Sequence, residues 1–140
     1  QKTRDIMDFM MDMGLAERLG ALPKSETPIK VTWHDPCHLR NHGLTRAPRR
    51  ILSALPQADF IEMADAATCC GLGGTFSVHH YETSKKIGNK KANNVAQSGA
   101  RIVATACPGC MIQLQDSLNR KNVPAKTTHL LELVCRALPS

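Results

Sequence analysis

The chain has 140 residues, 42% hydrophobic and 21% charged, with a net charge of +6, which suits one compact domain with its own core. No apolar run approaches the roughly 20 residues needed to span a bilayer, and no charged-apolar-small leader opens the chain, so a soluble, cytoplasmic protein is expected, held at a membrane only through partners. The basic balance raises nucleic acid as a partner, but one Trp, one Tyr and three Phe offer no platform for stacking bases, so none is expected.

Residues 2–22 carry Ile6, Phe9, Met10, Met13 and Leu19 at mostly helical spacing interrupted by Gly14, which predicts a leading helix or helix pair. Its methionines are read as adaptable packing residues. This segment and its proline-bearing linker, 1–28, precede a domain at 29–140. From there a short apolar run alternates with a longer amphipathic stretch four times. Strands are expected at 29–33, 59–63, 100–105 and 125–128, and helices at 38–55, 75–97, 111–121 and 129–138, with Gly99 as a helix stop. The fold class is α/β: a small, mainly parallel four-stranded sheet flanked by helices.

Five of the six cysteines form one pattern: Cys37, then Cys69-Cys70 followed by Gly71, then Cys107-Pro108-Gly109-Cys110. Each group follows an expected strand, where open α/β sheets build their sites. Several of these thiols also fall at helix N-termini, which favour thiolates. Neighbouring thiols and a C-x-x-C pair suit a soft metal or an iron–sulfur cluster. One structural zinc ion closes with four ligands, so five organised cysteines favour a cluster with several irons, with zinc as the alternative or substitute. The clustering also argues against a disulfide framework. Cys135 lies outside the pattern, on a helix with Leu131 and Leu138, and is expected in the core.

Gly71, Gly73 and Gly74 match neither a dinucleotide fingerprint nor a Walker motif. They are read as letting backbone approach a bulky cofactor and donate N–H groups to it, with Gly109 shaping the turn between Cys107 and Cys110. His34 and His38 flank Asp35-Pro36-Cys37, and His129 opens the last helix. All three are expected beside the centre, where a ring N–H tunes ligand orientation and potential. The cations at Arg40, Arg46, Arg49, Arg50 and at Lys85, Lys86, Lys90, Lys91 read as solvated helix faces or as a positive rim that steers an acidic partner. No hydrolytic constellation, flavin motif or ferredoxin-type cysteine run is present, so no catalytic residue is assigned.

The strings HDPCHL at His34, CCGLGGTFSV at Cys69, TACPGCMIQL at Thr105 and HLLELV at His129 resemble the cysteine-rich CCG domain. Such domains occur in heterodisulfide reductases and in iron–sulfur subunits of glycolate and lactate oxidoreductases, the last domain of the latter being nearest. The resemblance implies a 4Fe-4S cluster on Cys37, Cys69, Cys70, Cys107 and Cys110. It implies electron relay from a flavin-containing dehydrogenase subunit, and an upstream ferredoxin-like part that makes this chain the C-terminal piece of a longer subunit. In heterodisulfide reductases the five-cysteine set holds a noncubane cluster that cleaves disulfides, which makes thiol chemistry the enzymatic rival.

Overall fold

A computed structural model describes residues 3–138; the first residue of the expected leading helix, Lys2, lies outside them. Asp5 starts α1 (Ile6–Asp12), its carboxylate accepting from the Met7 amide at 2.9 Å. Gly14, at φ +75°, separates α1 from α2 (Leu15–Gly20). The alternating region then runs β1 (Ile29–Trp33), α3 (Cys37–Asn41), α4 (Arg46–Ala54), β2 (Ala58–Phe60), α5 (Phe76–His79), α6 (Tyr81–Ser98), β3 (Ile102–Thr105), α7 (Pro108–Arg120), β4 (Lys126–His129) and α8 (Leu130–Ala137).

All four strands are parallel, in the order β2-β1-β3-β4. Val31 pairs with Phe60 on one side and Ile102 on the other, and Thr105 pairs with His129. Both faces of the central strands are covered, which is why Val31–Trp33 and Ile102–Thr105 read as largely apolar runs. Val31, Trp33 and Ala104 join a core with Met7 and Leu19 from the leading helices, Ile51 and Leu52 from α4, and Leu130 and Val134 from α8. Val103 joins a second core with Ala92 and Val95 of α6 and Leu114 and Leu118 of α7. Each large aliphatic side chain buried in this way contributes roughly 1.5–3 kcal/mol.

The expected helix over 38–55 is two helices, because Gly43 adopts φ +73° and its amide closes a turn on the Arg40 carbonyl. That over 75–97 likewise divides at His80, whose backbone leaves the helical region. The second strand is shorter than expected: it ends at Phe60, and Met63 is buried outside the sheet, in the α6–α7 core. Gly99 ends α6 at φ +69°, as its position predicts.

Candidate metal centre

Past the carboxyl ends of β1, β2 and β3 the connecting segments meet in one cavity of about 150 Å³. Its walls hold all five patterned cysteines: Cys37, Cys69, Cys70, Cys107 and Cys110. The sheet order explains the convergence, since β2, β1 and β3 are neighbours and each delivers one cysteine group. Cys107 caps α7, and Pro108 at its first position needs no N–H partner, so Cys110 falls in the helix's first turn. The unpaired amides of that turn favour negative sulfur.

Cys70 and Cys110 are buried, with their Sγ atoms 3.5 Å apart. Their contact holds the Cys70 thiol well down, and the same contact, with burial, pushes Cys110 up. One ring nitrogen of His34 and these two sulfurs all lie within 4.8 Å of one another. His34 is 1% exposed, and its Nδ1 is a buried polar atom with no hydrogen-bond partner. Such an atom carries a desolvation penalty of about 1–3 kcal/mol unless something in the cavity engages it. Five soft thiol donors with an orphaned imidazole nitrogen fit a soft-metal or iron–sulfur group, held by the cysteines and oriented by His34. All six cysteines of the chain are free thiols.

The loop before the cysteine pair is fastened from outside. The carbonyls of four consecutive residues each accept from a side chain: Ala64 from Asn94 at 2.8 Å, Asp65 and Ala66 from Lys91, and Ala67 from Arg40. The Ala66 carbonyl also accepts from the Asp35 amide at 3.1 Å, which joins this loop to the one carrying Cys37. Asp35 itself is locked by a two-pronged bond from Arg49 and by the Trp33 indole at 2.6 Å. Burial alone would push its carboxyl up. The bonds from Arg49 and Trp33, with the charges of Arg49 and His34, outweigh burial and hold it below the usual carboxylate range.

Gly71 shows why glycine follows the pair. It sits at φ +101°, and a Cβ there would lie 2.7 Å from the Ser84 carbonyl oxygen. Its amide donates to Cys69 Sγ at 3.3 Å. Gly73 and Gly74 line the cavity mouth, while Gly109 packs under Leu72.

The family of CCG cysteine-rich domains matches residues 31–115, more than half the chain. This chain is a member of that family. It is similar to a fumarate reductase (CoM/CoB) subunit of Methanothermobacter marburgensis, 35% identical over 93% of the chain, and to a probable glycolate oxidase iron–sulfur subunit of Bacillus subtilis, 34% identical over 98%. It is also similar to a dihydromethanophenazine:CoB–CoM heterodisulfide reductase subunit of Methanosarcina barkeri, 32% identical over 95%. The chain spans 26%, 31% and 33% of the length of these three relatives.

Within this CCG domain the remaining candidate residues fall elsewhere. His38 is exposed on α3 and lines a separate cleft with Arg4, Asp5 and Asp8. His129 caps α8, its Nδ1 accepting from the Leu131 amide at 3.3 Å. Cys135 is exposed rather than in the core, because the buried face of α8 is formed by Leu130, Leu133 and Val134. Among the basic residues, Arg49 is bound to Asp35 and Glu62, Arg50 to Glu17, Lys85 to Glu82 and Lys90 to Asp65; Arg40, Arg46 and Lys86 are exposed, and Lys91 is buried. Lys91, Asn94, Arg40 and the Asp35–Arg49 pair support the loops of the site, a role that the charge reading of Arg40, Arg49 and Lys91 does not give them. A stripe of Ser84, Gly88, Lys91 and Val95 along one face of α6 is the sequence signal for the burial of Lys91.

Proposed function

We propose that this CCG domain is an electron-transfer module of an iron–sulfur subunit in a hydroxy-acid (glycolate or lactate) oxidoreductase. The observation that carries the reading is the convergence of five cysteines from three strand ends on one cavity. Cys37, Cys69, Cys70, Cys107 and Cys110 would hold a 4Fe-4S cluster, with His34 and the glycines 71, 73, 74 and 109 shaping its surroundings. The bound cluster supplies a one-electron donor and acceptor. The chain's own residues hold the thiols in place, exclude water at the buried Cys70–Cys110 wall and fix the orientation of His34. His38 and His129 act at a greater remove, through α3 and the start of α8.

The electron source in this reading is a flavin-containing dehydrogenase subunit, and an upstream ferredoxin-like part of the same subunit, preceding residues 29–140, passes electrons on. The assembly works in the cytoplasm and meets a membrane only through partners. Among the described residues no helix is long and apolar enough to cross one. A second reading, cleavage of a disulfide at the same cluster, is favoured by the similarity to the heterodisulfide reductase subunit.

The test is anaerobic purification with iron, sulfide and zinc analysis and EPR of the reduced and oxidised protein. Stoichiometric iron and sulfide are expected, lost on substituting Cys69, Cys107 or Cys110 by serine. Zinc alone would replace the reading with a structural module. Robust disulfide reduction by the loaded domain, with no hydroxy-acid-driven reduction once the flavin subunit is added, would favour the second.

A further inference from the structure

α6 carries a cation where a helix facing a core should have none. Lys91 is 1% exposed, among the largest fully buried side chains of the protein. Among the described residues its ammonium forms no ion pair with a carboxylate. Its hydrogen bonds go to two neutral carbonyls, those of Asp65 and Ala66. The carboxylates in its neighbourhood are engaged by other cations: Asp65 by Lys90 at 2.8 Å, and Asp35 by Arg49 at 2.8 Å. A buried charge persists where an opposite charge balances it. The loop that Lys91 grips leads directly to the cysteine pair, whose sulfurs become anionic when they hold a metal. Burial pulls the Lys91 ammonium down to about 8, while Asp65, Cys70, Asp35 and Cys69 all favour its charged form.

We propose that Lys91 is the buried counter-charge of the cysteine centre, a positioning residue that stabilises its most negative state and thereby raises its reduction potential. The inference rests on the reading that the five cysteines bind metal. Adding an electron makes the centre more negative, so a fixed positive charge in a poorly screened interior favours the reduced form. The hydrogen bonds give Lys91 a second effect, on loop placement, which Asn94 shares through the Ala64 carbonyl at 2.8 Å without contributing charge. The two residues therefore separate charge from anchoring.

The experiment compares wild type with Lys91→Gln, which keeps a hydrogen-bond donor and loses the charge, with Lys91→Arg, which keeps the charge, and with Asn94→Ala, which loosens the loop. After anaerobic reconstitution with iron and sulfide, EPR-monitored redox titration should place Lys91→Gln at a more negative potential than wild type by at least a tenfold change in the reduction equilibrium, about 59 mV for a one-electron couple. Lys91→Arg should return toward wild type, and Asn94→Ala should leave the potential where it was. Equal shifts in Lys91→Gln and Asn94→Ala, or no shift in either, would overturn the proposal while leaving cluster binding intact. Zn²⁺ titration of the metal-free proteins is the second arm. If wild type takes up zinc and no iron–sulfur cluster, the electron-transfer reading fails, and the counter-charge then predicts at least tenfold weaker Zn²⁺ binding in Lys91→Gln and little change in Asn94→Ala. Equal Zn²⁺ affinity in all four proteins, or a wild type that binds neither metal, would overturn the counter-charge too.

Discussion

Arg49 grips both carboxylate oxygens of Asp35, at 2.9 and 2.8 Å, and so ties α4 to the segment between β1 and Cys37. The carboxylate side chain is only 4% exposed, and Arg49 reaches onward to Glu62 at 2.6 Å. Substituting Arg49 by methionine strands a buried negative charge, a loss of about 3–5 kcal/mol. Arg50→Met removes only an exposed contact with Glu17 and should cost less than about 1 kcal/mol. Urea unfolding of the metal-free proteins checks the contrast, and equal midpoints for the two variants would contradict it.

Gly71 and Gly109 meet their surroundings differently. Alanine at Gly71 combines a positive φ with a 2.7 Å approach to backbone, so the loop carrying Cys69 and Cys70 must move. A loss of about 1–3 kcal/mol is expected, together with reduced iron uptake. At Gly109 the nearest atom, also at 2.7 Å, is the far end of the Leu72 side chain, which can swing away. Helix α7 also gains from alanine, by about 1 kcal/mol. Gly109→Ala should therefore sit close to wild type in both thermal melting and iron content.

Thiol reactivity should sort five of the six cysteines into two classes, with the half-buried Cys107 between them. Cys37, Cys69 and Cys135 are exposed, whereas Cys70 and Cys110 are 2% and 7% exposed. Brief alkylation of the metal-free protein, followed by peptide mass spectrometry, should label the first three well ahead of the buried pair. Metal loading should then protect Cys37 and Cys69 and leave Cys135 as reactive as before. Protection of Cys135 on loading would show that the ligand set has been drawn wrongly. Chelation should restore the original pattern.

The parallel sheet was legible because its two central strands are buried where they pair: Val31–Trp33 and Val103–Thr105 have no solvent face to encode. The cysteine convergence was legible for the same reason, since adjacent parallel strands end at one edge. Misreadings arose where one-dimensional cues and three-dimensional faces part company. Met63 is apolar and follows a strand, yet it packs on α6 and α7 rather than in the sheet. Cys135 has leucines at helical spacing, but Leu138 is itself exposed and the buried stripe of α8 lies a step around the helix. Lys91 stands in a lysine-rich stretch that suggests a wetted surface, and only its phase with Gly88 and Val95 reveals that it turns inward. His34 was found by adjacency to Cys37, but its orphaned nitrogen is a property of the packed cavity.

The four fastened carbonyls between Met63 and Thr68 also set a rule about length. Each carbonyl meets a fixed donor, Lys91 serving two of them, and those donors come from three places: Asn94 and Lys91 on α6, the Asp35 amide, and Arg40 on α3. Adding or removing one residue here would slide every carbonyl past its donor at once, and carry Cys69 and Cys70 out of step with Cys37. The exposed linker from Pro23 to Pro28 is tied to the rest of the fold at one point, the Ser25 amide donating to the Pro56 carbonyl at 3.0 Å. Inserted residues should be accepted in that linker and rejected between Met63 and Cys69, so the spacing before the cysteine pair is as much a part of the site as the sulfurs themselves.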